Sequence, residues 1–94
     1  MNAYDDDFNP KFVYFASAPA DLSTRVDEAI RACSGGASPV GRGLVLEELG
    51  TPAPGTMRID LWLERADRAG RTFGFLCSSA NGTAPYARGE RTVA

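Results

Sequence analysis

Residues 57–65 alternate so strictly that they restrict the fold more than any other stretch of the chain. Met57, Ile59, Leu61 and Leu63 are apolar, and Arg58, Asp60, Trp62 and Glu64 fall between them. Successive side chains of a strand point to opposite faces, so this run predicts a strand with one buried and one exposed face. Residues 71–78 repeat the pattern with Phe73, Phe75 and Cys77. Between the two runs, Ala66-Asp67-Arg68-Ala69-Gly70 has the makings of a turn that ends on glycine. With Arg65 and Arg71 flanking that turn, Leu63 faces Phe73, Leu61 faces Phe75 and Ile59 faces Cys77. Every apolar residue then lands on one face, as the register of a one-sided hairpin must arrange. On the other face Trp62 meets Gly74, an aromatic lying over a cross-strand glycine.

The remaining elements follow from weaker patterns. Phe12-Val13-Tyr14-Phe15-Ala16 is short, aromatic and branched, which favours a first strand. Leu22, Val26, Ala29, Ile30 and Cys33 form one stripe at helical spacing, so a helix is expected over about residues 21 to 34. Asp21 is placed to cap it, Asp27 and Arg31 to pair along it, and Gly35-Gly36 to stop it. Cys33 closes the stripe as a core residue. Residues 40–49, centred on Leu44, Val45 and Leu46, predict a strand whose faces the pattern does not assign. Gly50-Thr51-Pro52-Ala53-Pro54-Gly55 is a loop, and Asn81-Gly82 marks a turn.

The order strand, helix, strand, strand, strand predicts an α+β domain of two layers. Its sheet is expected to be mixed and four-stranded (β-α-β-β-β), with one helix packed on one face. The helical connection suits a right-handed crossover between parallel strands, and the last three strands suit an antiparallel meander. With 94 residues the chain is one domain long. Residues 1–10 read as an acidic leader carrying Asp5, Asp6 and Asp7, residues 11–79 as the α+β core, and residues 80–94 as a polar tail or short edge strand.

Composition prunes the chemistry. The chain has no histidine, which removes Ser-His, Cys-His and histidine-ligated metal schemes together. Cys33 and Cys77 lie far apart with no third cysteine, so no zinc site is predicted, and both read as reduced. Cys77 falls on the apolar hairpin face, which favours a buried thiol over a nucleophile. Gly41-Arg42-Gly43 is a lone G-x-G with no helix after it, and no cofactor box is present. Glu47 and Glu48 point to opposite faces of a strand, a poor arrangement for paired acid–base work. No signal peptide and no run long enough to span a bilayer appear, so the expected place is the cytoplasm, away from membranes. Nine of the ten basic residues are arginine, and alanine and glycine are abundant; this codon bias points to a GC-rich bacterial or phage genome.

The net charge of −2 hides an asymmetry. Residues 1–30 carry −4, residues 31–64 carry −1 and residues 65–94 carry +3. Arg65, Arg68 and Arg71 gather at the hairpin tip, where they form either a solvated loop or a grip for phosphates or an acidic protein surface. The overall balance argues against a nucleic-acid binder. The hairpin face with Arg58, Asp60, Trp62 and Glu64 has nothing predicted to cover it, and Trp and Arg are enriched in binding hot spots. Together these features predict a small non-catalytic protein that acts by binding: an inhibitor, accessory or immunity-type protein docking on a larger protein partner. The uncovered face also offers a surface for a homodimer. Two alternatives stand beside it: a small-ligand or enzymatic domain using the Trp62 face, and nucleic-acid contact through the arginine tip.

Overall fold

The structure, a computed structural model, describes residues 11–18, 21–33, 41–68 and 70–93. The elements are β1 (Phe12–Ala18), α1 (Leu22–Cys33), β2 (Gly41–Glu48), β3 (Gly55–Asp67), β4 (Gly70–Ser79) and β5 (Pro85–Val93). The five strands form one sheet in the order β1-β3-β4-β5-β2, antiparallel at every pairing. The α+β class and the single helix hold. The sheet has five strands rather than four, and it is antiparallel rather than mixed.

Two physical facts account for the difference. The first concerns β1 and β2, which do run in the same direction, as a crossover requires. They are not neighbours, because β3, β4 and β5 lie between them. Four strand spacings of about 4.8 Å separate the two edges, roughly 19 Å in all. The 12 residues of α1 at 1.5 Å each make about 18 Å, so the connecting helix is about as long as the sheet is wide. The second fact concerns residues 85–93. They are neither a loose tail nor an edge strand but an interior strand between β4 and β2. Their polarity misleads because their charges are paired over long distances. Arg91 Nε and Nη2 donate to the Asp27 carboxylate on α1 at 2.9 and 3.0 Å, and Arg88 Nε donates to Glu47 on β2 at 2.9 Å. Asp27 therefore serves β5 rather than the expected partner Arg31. Tyr86, Ala87 and Val93 supply the apolar part of the strand and are buried.

The β3–β4 hairpin keeps the predicted register from Met57↔Ser79 through Leu63↔Phe73. A bulge then shifts it, so that Arg65 pairs with Thr72 and Ala66 with Arg71 instead of Arg65 flanking the turn with Arg71. The strands continue to Asp67 and Gly70, which shortens the expected five-residue loop.

The core lies between α1 and one face of the sheet. Val26, Ala29 and Ile30 of the helix pack over Met57, Ile59, Leu61, Phe73, Phe75 and Cys77, with Phe12, Tyr14, Leu22, Leu44 and Leu63 around them. Each large apolar side chain buried here stabilises the fold by about 1.5–3 kcal/mol relative to exposure. Asp21 caps the helix as expected: its carboxylate accepts the Ser23 N–H at 3.1 Å and the Thr24 hydroxyl at 3.0 Å. Cys33 departs from its predicted core role. The last turn of α1 is exposed, and Cys33 with it. Asn81 and Gly82 form the predicted turn, with Gly82 at φ 79° and the Asn81 side chain accepting the Thr83 N–H at 3.0 Å. The acidic run Asp5-Asp6-Asp7 lies outside the described residues, as does the Gly35-Gly36 stop.

Candidate functional site

The outer face of the sheet carries most of the side chains singled out from the sequence. Arg58 and Asp60 are neighbours on that face of β3 and satisfy each other: the guanidinium donates to Asp60 Oδ1 at 3.0 Å from Nη2 and at 3.2 Å from Nε. Trp62 lies over Gly74 so closely that a Cβ on that glycine would overlap the indole Cε2 and Nε1 atoms. Its indole N–H donates to Glu64 Oε2 at 3.1 Å. A residue not singled out from the sequence completes the group. Glu90 on β5 pairs with Gly74, so only a glycine separates it from Trp62 across the sheet. Its carboxyl is raised above the ordinary range, first by a hydrogen bond with Glu64, then by repulsion from the Glu64 charge. The signal for it was the cross-strand glycine itself, which brings β3 and β5 side chains together over a bare strand.

The arginine tip does not converge. Arg65 reaches Thr72 Oγ1 at 3.2 Å and lies 3.8 Å from the Asp67 carboxylate. Arg71 sits over the Phe73 ring, 5.6 Å from its centroid, on the core side. Arg68 is exposed in the turn. These arginines are divided among an ion pair, a ring contact and solvent, so no single anion-binding cradle forms from them.

Among the described residues, two concave regions flank the sheet. One is a groove on the outer face beside Trp62. The other, of about 380 Å³, lies where the N-terminus of α1 meets the end of β2. Asp21, Leu22 and Ser23 line one side of this cleft, Leu46 and Glu48 another, and Gly50, Thr51 and Pro52 close it. Its walls are tied in place. The N–H groups of Leu49 and Gly50 both donate to the Tyr86 carbonyl, at 2.6 and 3.0 Å, which fixes the loop after β2 against β5. Arg25 Nε donates to the Ser17 carbonyl at 3.1 Å, which fixes the helix start against β1. Glu47 and Glu48 do point to opposite faces, as the sequence implied. Glu47 pairs with Arg88 on the outer face, and Glu48 lines the cleft with no ion pair among the described residues. Asp21 is spent on capping, so Glu48 is the carboxylate left for chemistry at a helix N-terminus, where the helix dipole presents positive potential.

Cys77 is fully buried between α1 and the sheet, and burial pushes its thiol up to about 12, with the nearby Asp60 charge adding to the shift. It is no nucleophile at neutral pH. A thiol reagent at pH 8 is therefore expected to label Cys33 at once and Cys77 only on unfolding, as mass spectrometry of the labelled peptides will report. The raised thiol also sets a pH limit. The unfolded chain loses this proton near pH 9 while the folded chain holds it to about 12. Stability is thus expected to fall as pH rises across that window, and Cys77→Ala should flatten the decline in denaturant midpoint. Among the described residues no group of three or more acidic or cysteine side chains is placed to hold a metal ion, and no helix is long and apolar enough to cross a membrane.

No family model matches the chain, and no curated protein matches it in sequence. Its fold, however, is that of a solved protein. The crystal structure of YhdA from Lactococcus lactis, described as a "putative thioesterase", superposes with a TM-score of 0.62 over 99% of this chain and 98% of that one, at 13% sequence identity. The two share a hotdog-like fold, here a five-stranded antiparallel sheet with one described helix packed on one face. This likeness overturns the sequence reading of a non-catalytic inhibitor or accessory protein and favours the enzymatic or ligand-binding alternative. The physical reason is specific. The missing histidine excludes only histidine-dependent schemes, and a carboxylate acting on water needs none.

Proposed function

We propose that the protein hydrolyses acyl thioesters in the cleft between the N-terminus of α1 and the end of β2. The observation that carries this reading is the shared fold, end to end, with a protein described as a "putative thioesterase". The chemistry of the cleft supports it. The first residues of α1, Leu22 and Ser23, line the cleft beside the capping Asp21, so a carbonyl bound there would meet the N–H groups of the helix start that Asp21 does not take. Glu48 acts as general base and removes a proton from water. The water oxygen bonds to the carbonyl carbon, the carbon–sulfur bond breaks, the thiolate leaves and takes a proton from solvent, and Glu48 gives its proton back to solvent. A thiolate departs without a general acid, so the lack of histidine is no obstacle. Leu22, Leu46 and Pro52 offer apolar wall for the acyl group, and about 380 Å³ suits a short one.

The test is thiol release from a panel of acetyl, butyryl, hexanoyl and benzoyl thioesters, each built on both coenzyme A and N-acetylcysteamine. Enzyme-dependent release at least 100-fold above buffer is expected for one or more, with the matching oxygen esters slower. Absence of enzyme-dependent release across the whole panel removes the reading.

A further inference from the structure

The groove on the outer face is a second concave region, of about 610 Å³, separate from the cleft at the helix start. Trp62 lines it together with Val45 and Leu76, so it is largely apolar. Its rim is not. Glu47 at the rim is neutralised by Arg88 at 2.9 Å. Glu64 and Glu90 are not neutralised in this way: they lie against each other and share a hydrogen bond. β4 offers them no charge, since its residues here are Gly74 and Leu76. Among the described residues, the cation that acts on Glu90 is Arg65, which lies beside Asp67 and Thr72. Two carboxylates side by side leave the groove with negative potential over an indole face. An ammonium or guanidinium group matches both features, because it pairs with carboxylates and is drawn to the face of a tryptophan.

We propose that this groove binds a small organic cation, with its apolar body on Trp62, Val45 and Leu76 and its charged head between Glu64 and Glu90. The cation pairs with the ionised carboxylates, so binding weakens as pH falls and they take up protons, Glu90 before an ordinary glutamate because Glu64 lies against it. The site is independent of the thioester cleft and of the activity proposed for it.

Trp62 is the only tryptophan of the chain, so its emission reports the groove directly. The experiment titrates the intact protein with 2-phenylethylamine, agmatine and spermidine, and with uncharged 2-phenylethanol as control. At least one amine is expected to give a saturable change in Trp62 emission, tighter at pH 7.5 than at pH 4.5, while 2-phenylethanol gives none. Glu90→Gln should weaken that amine at least 10-fold with circular dichroism unchanged. Leu76→Lys, which places a cation in the groove, should abolish binding and serves if Glu90→Gln fails to fold. The proposal is overturned if no amine saturates, if the alcohol binds as well as the amine, or if affinity ignores both pH and these substitutions. None of these readouts depends on thioester hydrolysis, so the two proposals fail separately.

Discussion

Glu48→Gln is expected to lower kcat for the best thioester by at least about 100-fold, the lower end of what a positioned general base contributes. KM should change little, because the amide keeps the size of the carboxylate and the cleft walls are held elsewhere. The melting temperature should stay within about 2 °C, since Glu48 is exposed and makes no ion pair among the described residues. Asp21→Asn gives the contrast. Asn is a good helix cap, so the helix survives, and a residue whose carboxylate is occupied by capping should lose far less activity than Glu48→Gln. If Asp21→Asn is the more damaging change at equal stability, the roles of the two carboxylates are reversed. Parallel kinetics and thermal melts of both variants decide between them.

A loss of stability as large as that from truncating a core hydrophobe is expected at a glycine. A Cβ on Gly89 would run into the backbone carbonyl of Val45 and press on the Phe75 ring. A backbone atom cannot rotate away, so β2 and β5 must separate. Gly89→Ala should therefore cost about 3 kcal/mol or more, at or beyond the upper end of ordinary overpacking. For a domain of this size that lowers the melting temperature by roughly 12–24 °C. Gly74→Ala should cost clearly less. Its added methyl would meet only the Trp62 side chain, which can swing off the sheet. Its signature should instead be a red-shifted Trp62 emission. Equal destabilisation by the two variants would show that the β2–β5 pairing at Gly89 is looser than described.

The hairpin was readable because its information is local. Period-two alternation and one shared apolar face set the pairing of Ile59 with Cys77 and Leu61 with Phe75 without reference to the rest of the chain. The capping by Asp21 was readable for the same reason. The place of β5 was not, because Arg88, Glu90 and Arg91 look like solvent-exposed tail until their partners Glu47, Glu64 and Asp27 are known. All three partners are distant in sequence. The sheet order was hidden likewise: nothing in residues 12–18 or 41–48 says that three other strands separate them. The candidate cleft was half visible. The sequence placed Glu47 and Glu48 on opposite faces, and that separation leaves Glu48 at the helix start with no ion pair among the described residues. Recognising the cleft also needed the loop 50–52 folded over it, which depends on the Tyr86 carbonyl.

The sheet order has a consequence for how the chain folds. β3, β4 and β5 follow one another and pair as they emerge, so their loops are cheap to close. The outer strands are different. Phe12 must find Leu61 and Leu44 must find Arg91, each across about half the chain. Contacts of that span are slow to form, because the entropy of a long loop is lost before any pairing returns it. The cleft is built from α1 and from β2, parts that dock after the meander. The candidate cleft is therefore expected to be the last part to assemble and, in hydrogen exchange, the first to open.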